Sequence, residues 1–265
     1  MTDPDTANTP AAPLEVPRPA VIRLADPVRW LIAGAKDAWA HPGIALFYGL
    51  CFWLMAWVLG AVFHNKPEYT MSIVSGCLLV GPFLAMGLYD VSRRIERGMR
   101  PELSVSITCW DQHLGSMGML VLVLIVLELL WGRASLVVFA VFFNTSLTGT
   151  PDVLKALLSP DNWEFIAVYM AVGGLFAALV FSTSVVSIPM ILDRNTDAVT
   201  AAITSIAVVL SNILVMSCWG LLIVSLVLSA LLMPWSTGIV AVGPALGHAT
   251  WHAYRACVRW EMVND

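Results

Sequence analysis

Residues 44–63 run for twenty positions without one charged side chain. Such a run has the length needed to cross about 30 Å of hydrocarbon. Backbone in hydrocarbon must satisfy its own N–H and C=O groups, which for a single run means an α-helix. Further apolar runs follow at 71–88, 116–131, 165–192 and 198–233. The rest of the chain has the same character: 58% of its residues are apolar, 12% are charged and the mean hydropathy is +0.80. Soluble proteins carry roughly 25% charged residues. The expected fold is therefore all-α, a polytopic membrane helical bundle. The net charge of −4 and the absence of a basic patch give nucleic-acid binding no support.

Residues 1–24 are rich in Pro, Ala, Thr and Asp and hold too little apolar material to pack, so a disordered N-terminal tail is expected. They lack the pattern of a signal peptide, and the first membrane helix is expected to direct insertion. Residues 25–260 are expected to form a single transmembrane domain. Val28, Leu31, Ile32, Ala35 and Trp39 recur at helical spacing opposite Arg29, Lys36 and Asp37, which predicts an amphipathic helix at the membrane surface. About six spans are expected, over about 44–63, 71–92, 116–132, 165–192, 212–233 and 238–257. Residues 135–143 are apolar but too short to cross, and read either as a continuation of a tilted third span or as an interfacial piece. The five cysteines include no Cys-x-x-Cys pair and read as packing residues.

The order of elements suggests three pseudo-repeats, each an amphipathic surface helix followed by a helical pair. Pro82, Pro189 and Pro244 fall in the second helix of each pair, where a missing N–H and a ring clash predict a kink. Gly81, Pro82, Leu84, Tyr89, Asp90 and Arg93 reappear as Gly243, Pro244, Leu246, Trp251, His252 and Arg255 at one constant offset. Lys and Arg crowd one side of the expected topology, at Arg18 to Lys36, Arg93 to Arg100, Arg194, Arg255 and Arg259. Lys66 and Lys155 mark the other, with Arg133 near it. Both termini are thus expected to be cytoplasmic. Trp30, Trp39, Trp110, Trp251 and Trp260 are expected in the inner interfacial belt.

Residues 81–98 read Gly-Pro-x-Leu-Ala-x-Gly-Leu-Tyr-x-x-Ser-Arg-Arg-x-Glu-x-Gly. This stretch resembles the core motif of a family of bacterial, proteobacterial-type integral membrane proteins that carries only a domain-of-unknown-function label, and His41-Pro42 and Tyr48-Gly49 fit the same family. The resemblance covers about residues 24–259 and implies a multi-pass protein of the bacterial inner membrane, with no established activity. Some members carry a label as cytochrome c oxidase subunit I. That subunit has about twice the spans expected here and more histidine ligands than this chain has histidines.

Four groups of residues are candidates for function. His248 and His252, four apart, share a helix face, and His41 and His113 lie at expected starts of spans on the same side of the membrane. Together they suggest haem or a divalent metal, against a bland reading as interfacial residues. Glu128 lies inside an apolar span and must face the bundle interior, with Arg133 as a candidate counter-ion or with a partner on another helix. Arg93, Arg94, Arg97 and Arg100 suit anionic lipid headgroups or a partner. They also suit pairing within one helix end, Asp90 with Arg93 or Arg94 and Glu96 with Arg100. Ser182, Thr183, Ser184 and Ser187 read as helix-packing devices.

No phosphate-cradling glycine loop, His-Glu-x-x-His or Gly-x-Ser-x-Gly turn is present. The expected function is that of a non-catalytic accessory, assembly or scaffold component, working with other membrane subunits or as a homo-oligomer and without a cofactor. A small-solute or ion transporter is the first alternative, and a haem- or metal-binding subunit of a respiratory oxidase the second.

Overall fold

The computed structural model describes residues 15–66, 69–143 and 162–262. Strand β1 (Glu15–Pro19) is followed by helices α1 (Asp26–Ala40), α2 (Pro42–Asn65), α3 (Thr70–Glu96), α4 (Leu103–Thr108) and α5 (Leu114–Phe142). Then come α6 (Trp163–Ser184), α7 (Ser187–Arg194), α8 (Ala198–Ser211), α9 (Ile213–Leu231), α10 (Ile239–Cys257) and strand β2 (Val258–Met262). The chain is all-α apart from the β1–β2 ribbon among the described residues. Most of the long connection expected at 144–163 lies outside them.

Five segments among the described residues are long and apolar enough to cross a membrane: Pro42–Asn65, Thr70–Glu96, Leu103–Phe142, Trp163–Arg194 and Ile213–Leu231. The expected span at 238–257 corresponds to α10, which is not among them because His248, His252 and Arg255 interrupt its apolar character. Helix α5 runs unbroken past Arg133, so residues 135–142 continue the third span. The fourth is two helices rather than one. Pro189 has no N–H, and its ring would clash with the carbonyl four residues earlier, that of Val185. The helix breaks there, and the Val186 N–H turns to Ser205 Oγ, 3.3 Å away. The bend expected near Ser211-Asn212 is the junction of α8 and α9.

The helix ends follow from local chemistry. Gly98 takes φ +69° after α3, so the Met99 N–H reaches the Arg94 carbonyl and the Gly98 N–H the Ile95 carbonyl. This double closure requires a residue at ease in the left-handed region. Asn195 ends α7 at φ 51°. Asp197 caps α8, accepting the N–H groups of Val199 and Thr200 at 3.0 and 2.9 Å.

Part of the stretch expected as tail, Glu15–Pro19, is a strand. β1 pairs antiparallel with β2, Glu15 opposite Met262 and Pro19 opposite Val258. The Ala20 N–H then donates to the Cys257 carbonyl at 2.8 Å. Asn212 Nδ2 donates to the Ala20 carbonyl at 2.9 Å, and its Oδ1 accepts the Ile22 N–H. Residues 15–24 are ordered by backbone partners from the far end of the chain, which composition does not report. Residues 1–14 lie outside the described residues.

Much of the core is built from the segments that carry the three prolines, all of which are buried. Residues 86–92 of α3, 187–192 of α7 and most of 246–254 of α10 are buried, and these three stretches pack on one another. Met86, Leu88, Met190, Ile191, Ala249 and Trp251 are among the most buried side chains. The other half of the bundle exposes Leu50, Leu54 and Trp57 of α2, Leu129 and Leu130 of α5 and Leu175 of α6. In hydrocarbon this surface needs no cover. Trp30 and Trp251 are 4% and 1% exposed, so two tryptophans expected in the interfacial belt are core residues. Trp30 packs edge-on against Trp219.

Helix α10 is held by backbone contact. A Cβ on Gly34 would stand 2.4 Å from the Ala249 nitrogen, and one on Gly49 would stand 2.1 Å from the Val240 oxygen. Glycine at these two positions lets α1 and α2 meet the α10 main chain directly.

Candidate functional site

The polar side chains that carry charge or chemistry gather at the same end as the core. Past Pro82, α3 carries Asp90, Ser92, Arg93, Arg94 and Glu96, and Arg97 caps it. Helical spacing puts Asp90 against Arg93 and Arg94 together. Asp90 is fully buried; Arg94 Nε donates to its Oδ2 at 2.7 Å and Arg93 Nη2 to its Oδ1. Arg93 Nη1 also donates to the Leu192 carbonyl at 2.8 Å, tying α3 to α7.

A second hub forms on Asp193. Its Oδ1 accepts Arg97 Nη2 at 3.0 Å and its Oδ2 accepts Tyr254 Oη at 2.9 Å. Glu96 accepts Trp251 Nε1 and Arg255 Nε, both at 3.0 Å. Glu96 thus pairs across to α10, not with Arg100 as its spacing suggested. Arg100 is exposed beyond α3 and takes no part in this network. Arg194 reaches Glu15 on β1 at 2.6 Å and lies over the Trp260 ring.

The third cluster joins α1, α3 and α10. Ser92 Oγ lies 2.6 Å from Asp37 Oδ2 and 2.8 Å from His248 Nδ1, and His252 Nε2 lies 2.8 Å from the same Asp37 oxygen. A hydroxyl has one proton. With Ser92 donating to the carboxylate, His248 must donate its Nδ1–H to Ser92. Ser92 and His248 are each 1% exposed and Asp37 is 9%. Serine, histidine and aspartate are present, yet both acceptor sites lead to Asp37 and the hydroxyl is sealed. This arrangement clamps three helices and presents no nucleophile to a substrate. Tyr48, Ser106 and the Gly87 carbonyl make a similar lock between α2, α4 and α3.

Burial opposes the charge on Asp37, but the hydrogen bonds from His252 and Ser92 and the two nearby imidazoles outweigh it. They hold this carboxyl below its ordinary value of 3.8. A depressed folded value means stability that is present above 3.8 and lost as pH falls through the lower folded value. Acid titration of the thermal midpoint should therefore show a decline below about pH 4 that Asp37→Asn removes. An equal acid decline in both proteins would show that Asp37 does not carry it.

The expected site residues are only partly brought together. His248 and His252 share the Asp37 clamp, while His113 lies elsewhere, its Nδ1 3.0 Å from Asn195 Oδ1. It lines a polar cleft of about 680 Å³ with Asp90, Arg93, Arg94, Thr108 and Asn195. His41 sits at the corner between α1 and α2. No group of three or more His, Cys, Asp or Glu side chains is arranged to hold a metal among the described residues. Glu128 is 6% exposed and bonds Ser75 on α3, whereas Arg133 is exposed and forms no ion pair with it. Ser182, Thr183, Ser184 and Ser187 donate to carbonyls of α6 one turn back. Asp37 and Asp193 were not candidates. Asp37 was expected on a polar face with Arg29 and Lys36; those two are exposed, whereas Asp37 is buried with Trp30 and Gly34 and meets α10.

Residues 70–193 match the model of a family described as a predicted integral membrane protein (DUF2189). No curated protein and no solved structure matches the chain. The matched segment opens with α3 and ends in α7, and so includes Pro82, residues 81–98, Glu128 and Pro189. Its apolar helices agree with that description: this is an integral membrane protein, similar over somewhat less than half its length to the predicted integral membrane proteins of that family.

Proposed function

We propose that the protein is a non-catalytic accessory or scaffold component of a bacterial inner membrane, with six spans and both ends in the cytoplasm. One observation carries the non-catalytic reading: Asp90, Ser92 and His248, the side chains best suited to chemistry, are at most 1% exposed, Asp90 taken up by Arg93 and Arg94 of its own helix and Ser92 by Asp37 and His248. The pairing of β1 with β2 supports the six-span topology. Strands paired with each other must lie on one side of the bilayer, which requires an even number of crossings, and α10, as long as α9, is the remaining helix of sufficient length. The Lys and Arg bias favours the cytoplasm for that side. The order of surface helix, span and proline-bearing span, met three times, fits three related units. The partners this reading calls for are anionic headgroups near Arg100 and further membrane subunits. Passage of a small solute is the second reading, favoured by the unsatisfied carboxyl of Glu128.

Extraction from the native membrane in mild detergent tests the proposal. The expected sample is colourless and metal-free and retains a membrane subunit at fixed stoichiometry in high salt. A Soret band or bound metal that disappears in His248→Ala or His252→Ala would replace this reading with the redox one. A lone chain that moves a solute across proteoliposome membranes would replace it with transport.

A further inference from the structure

Glu128 lies between α3 and α6 with its two oxygens in different circumstances. Oε2 is 2.8 Å from Ser75 Oγ on α3, and that hydroxyl is also 3.0 Å from the Met71 carbonyl oxygen one turn back. Serine in an apolar helix commonly donates to that carbonyl. That hydroxyl has one proton for the two acceptors, Oε2 and the Met71 carbonyl, and cannot satisfy both at once. A charge on Glu128 would stand inside a span with no cation paired to it, which is costly. The carboxyl's second oxygen, Oε1, is buried and has no hydrogen-bond partner among the described residues.

Beside this carboxyl is a cavity of about 230 Å³, lined by Glu128 itself, Leu78, Leu127, Trp131, Phe176 and Val180. Gly173 and Ala177 of α6 complete the wall, their small side chains leaving the space open. A cavity of roughly 150 Å³ with apolar walls already admits benzene and stays dry, since water needs two to four polar partners. Here the lining offers the carboxyl and one indole N–H. The room suits an apolar body, and the unsatisfied oxygen calls for one donor. The last torsion of glutamate is soft, so a small turn presents Oε1 to the cavity.

We propose that this cavity binds a small apolar molecule bearing a single N–H or O–H donor, of the size of a short alkyl amine or alcohol. Its donor bonds Glu128 Oε1, its body lies against Trp131 and Phe176, and it enters from the bilayer. This site is independent of the accessory role proposed above and stands or falls separately.

Dicyclohexylcarbodiimide, an apolar reagent, tests the site in the full-length protein in mild detergent. The O–H of a neutral carboxyl adds across one C=N bond: oxygen bonds the central carbon and the proton goes to nitrogen. The acyl group then shifts from oxygen to nitrogen, leaving a stable N-acylurea with nothing released. Intact-mass and peptide analysis should find one adduct per chain on Glu128, absent in Glu128→Gln. Ala177→Phe, which fills the cavity without changing Glu128, should abolish labelling while the circular dichroism and elution volume stay unchanged. Hexanol should slow labelling by roughly threefold to tenfold at concentrations where hexane does not, the difference one net hydrogen bond makes. An unlabelled wild-type protein, labelling that persists in Ala177→Phe, or equal protection by hexane would each overturn the proposal.

Discussion

Asp90→Ala is expected to lower stability by about 3–5 kcal/mol, the loss typical when one partner of a buried charge pair is removed. The carboxylate is fully buried, and the Arg93 and Arg94 side chains that share it are 19% and 23% exposed. Neither arginine can recover full hydration without leaving its place. Arg93 has a second task, since Nη1 holds the Leu192 carbonyl in the segment after Pro189. Loss of Asp90 should therefore loosen α7 as well as α3. Asp90→Asn keeps the shape and one acceptor and should cost less. Unfolding curves in one fixed detergent, with hydrogen exchange over 187–194, measure both effects. A loss below about 1 kcal/mol would place this pair with solvated surface salt bridges.

Gly34→Ala and Gly49→Ala should each cost about 1–3 kcal/mol or more, the range for overfilling a packed interior. The atoms in the way are backbone: Ala249 N and Ala245 O for Gly34, at 2.4 and 2.5 Å, and Val240 O for Gly49, at 2.1 Å. A side chain can rotate aside, but a helix main chain moves only as a whole. Both substitutions should therefore push α10 from its neighbours and weaken the β1–β2 ribbon that follows it, so that protease cuts near residues 15–24 faster. Gly60→Ala is the control. Nothing lies within 4 Å of a Cβ there, and its helix should gain stability by up to about 1 kcal/mol from the change in propensity. If Gly34→Ala matched Gly60→Ala, the close approach of α1 and α10 would be absent in solution.

These glycines show where sequence reading stopped. Gly49 was noticed only beside Tyr48 as part of a family pattern, and Gly34 not at all, because a glycine in a helix looks the same whether it faces lipid or another backbone. Asp90 and its arginines were legible because their spacing of three and four residues lies within one helix. Arg100 was paired wrongly with Glu96 for the same reason: the true partners, Arg255 and Trp251, come from α10. Pro189 was expected to kink a continuous span, and the chain instead broke at Val185, where Ser205 of α8 supplies an acceptor for the freed N–H. Of the two partners expected for Glu128, Arg133 on the same helix or a group on another helix, the structure supplies the second, Ser75 on α3, whose identity depends on packing.

The sequence by itself determined that the chain is helical and which solvent its helices live in, because a backbone in hydrocarbon has few ways to satisfy its hydrogen bonds. It also marked the basic end of the bundle and the three prolines. Only the tertiary structure decided that residues 15–19 are a strand rather than tail, that Asp37 is the centre of a clamp, and that Glu128 faces Ser75 beside a cavity. Each of these depends on groups far apart in the chain, brought together by packing. In lipid, where apolar surface need not be hidden, hydrophobic pattern alone does not indicate which faces will meet.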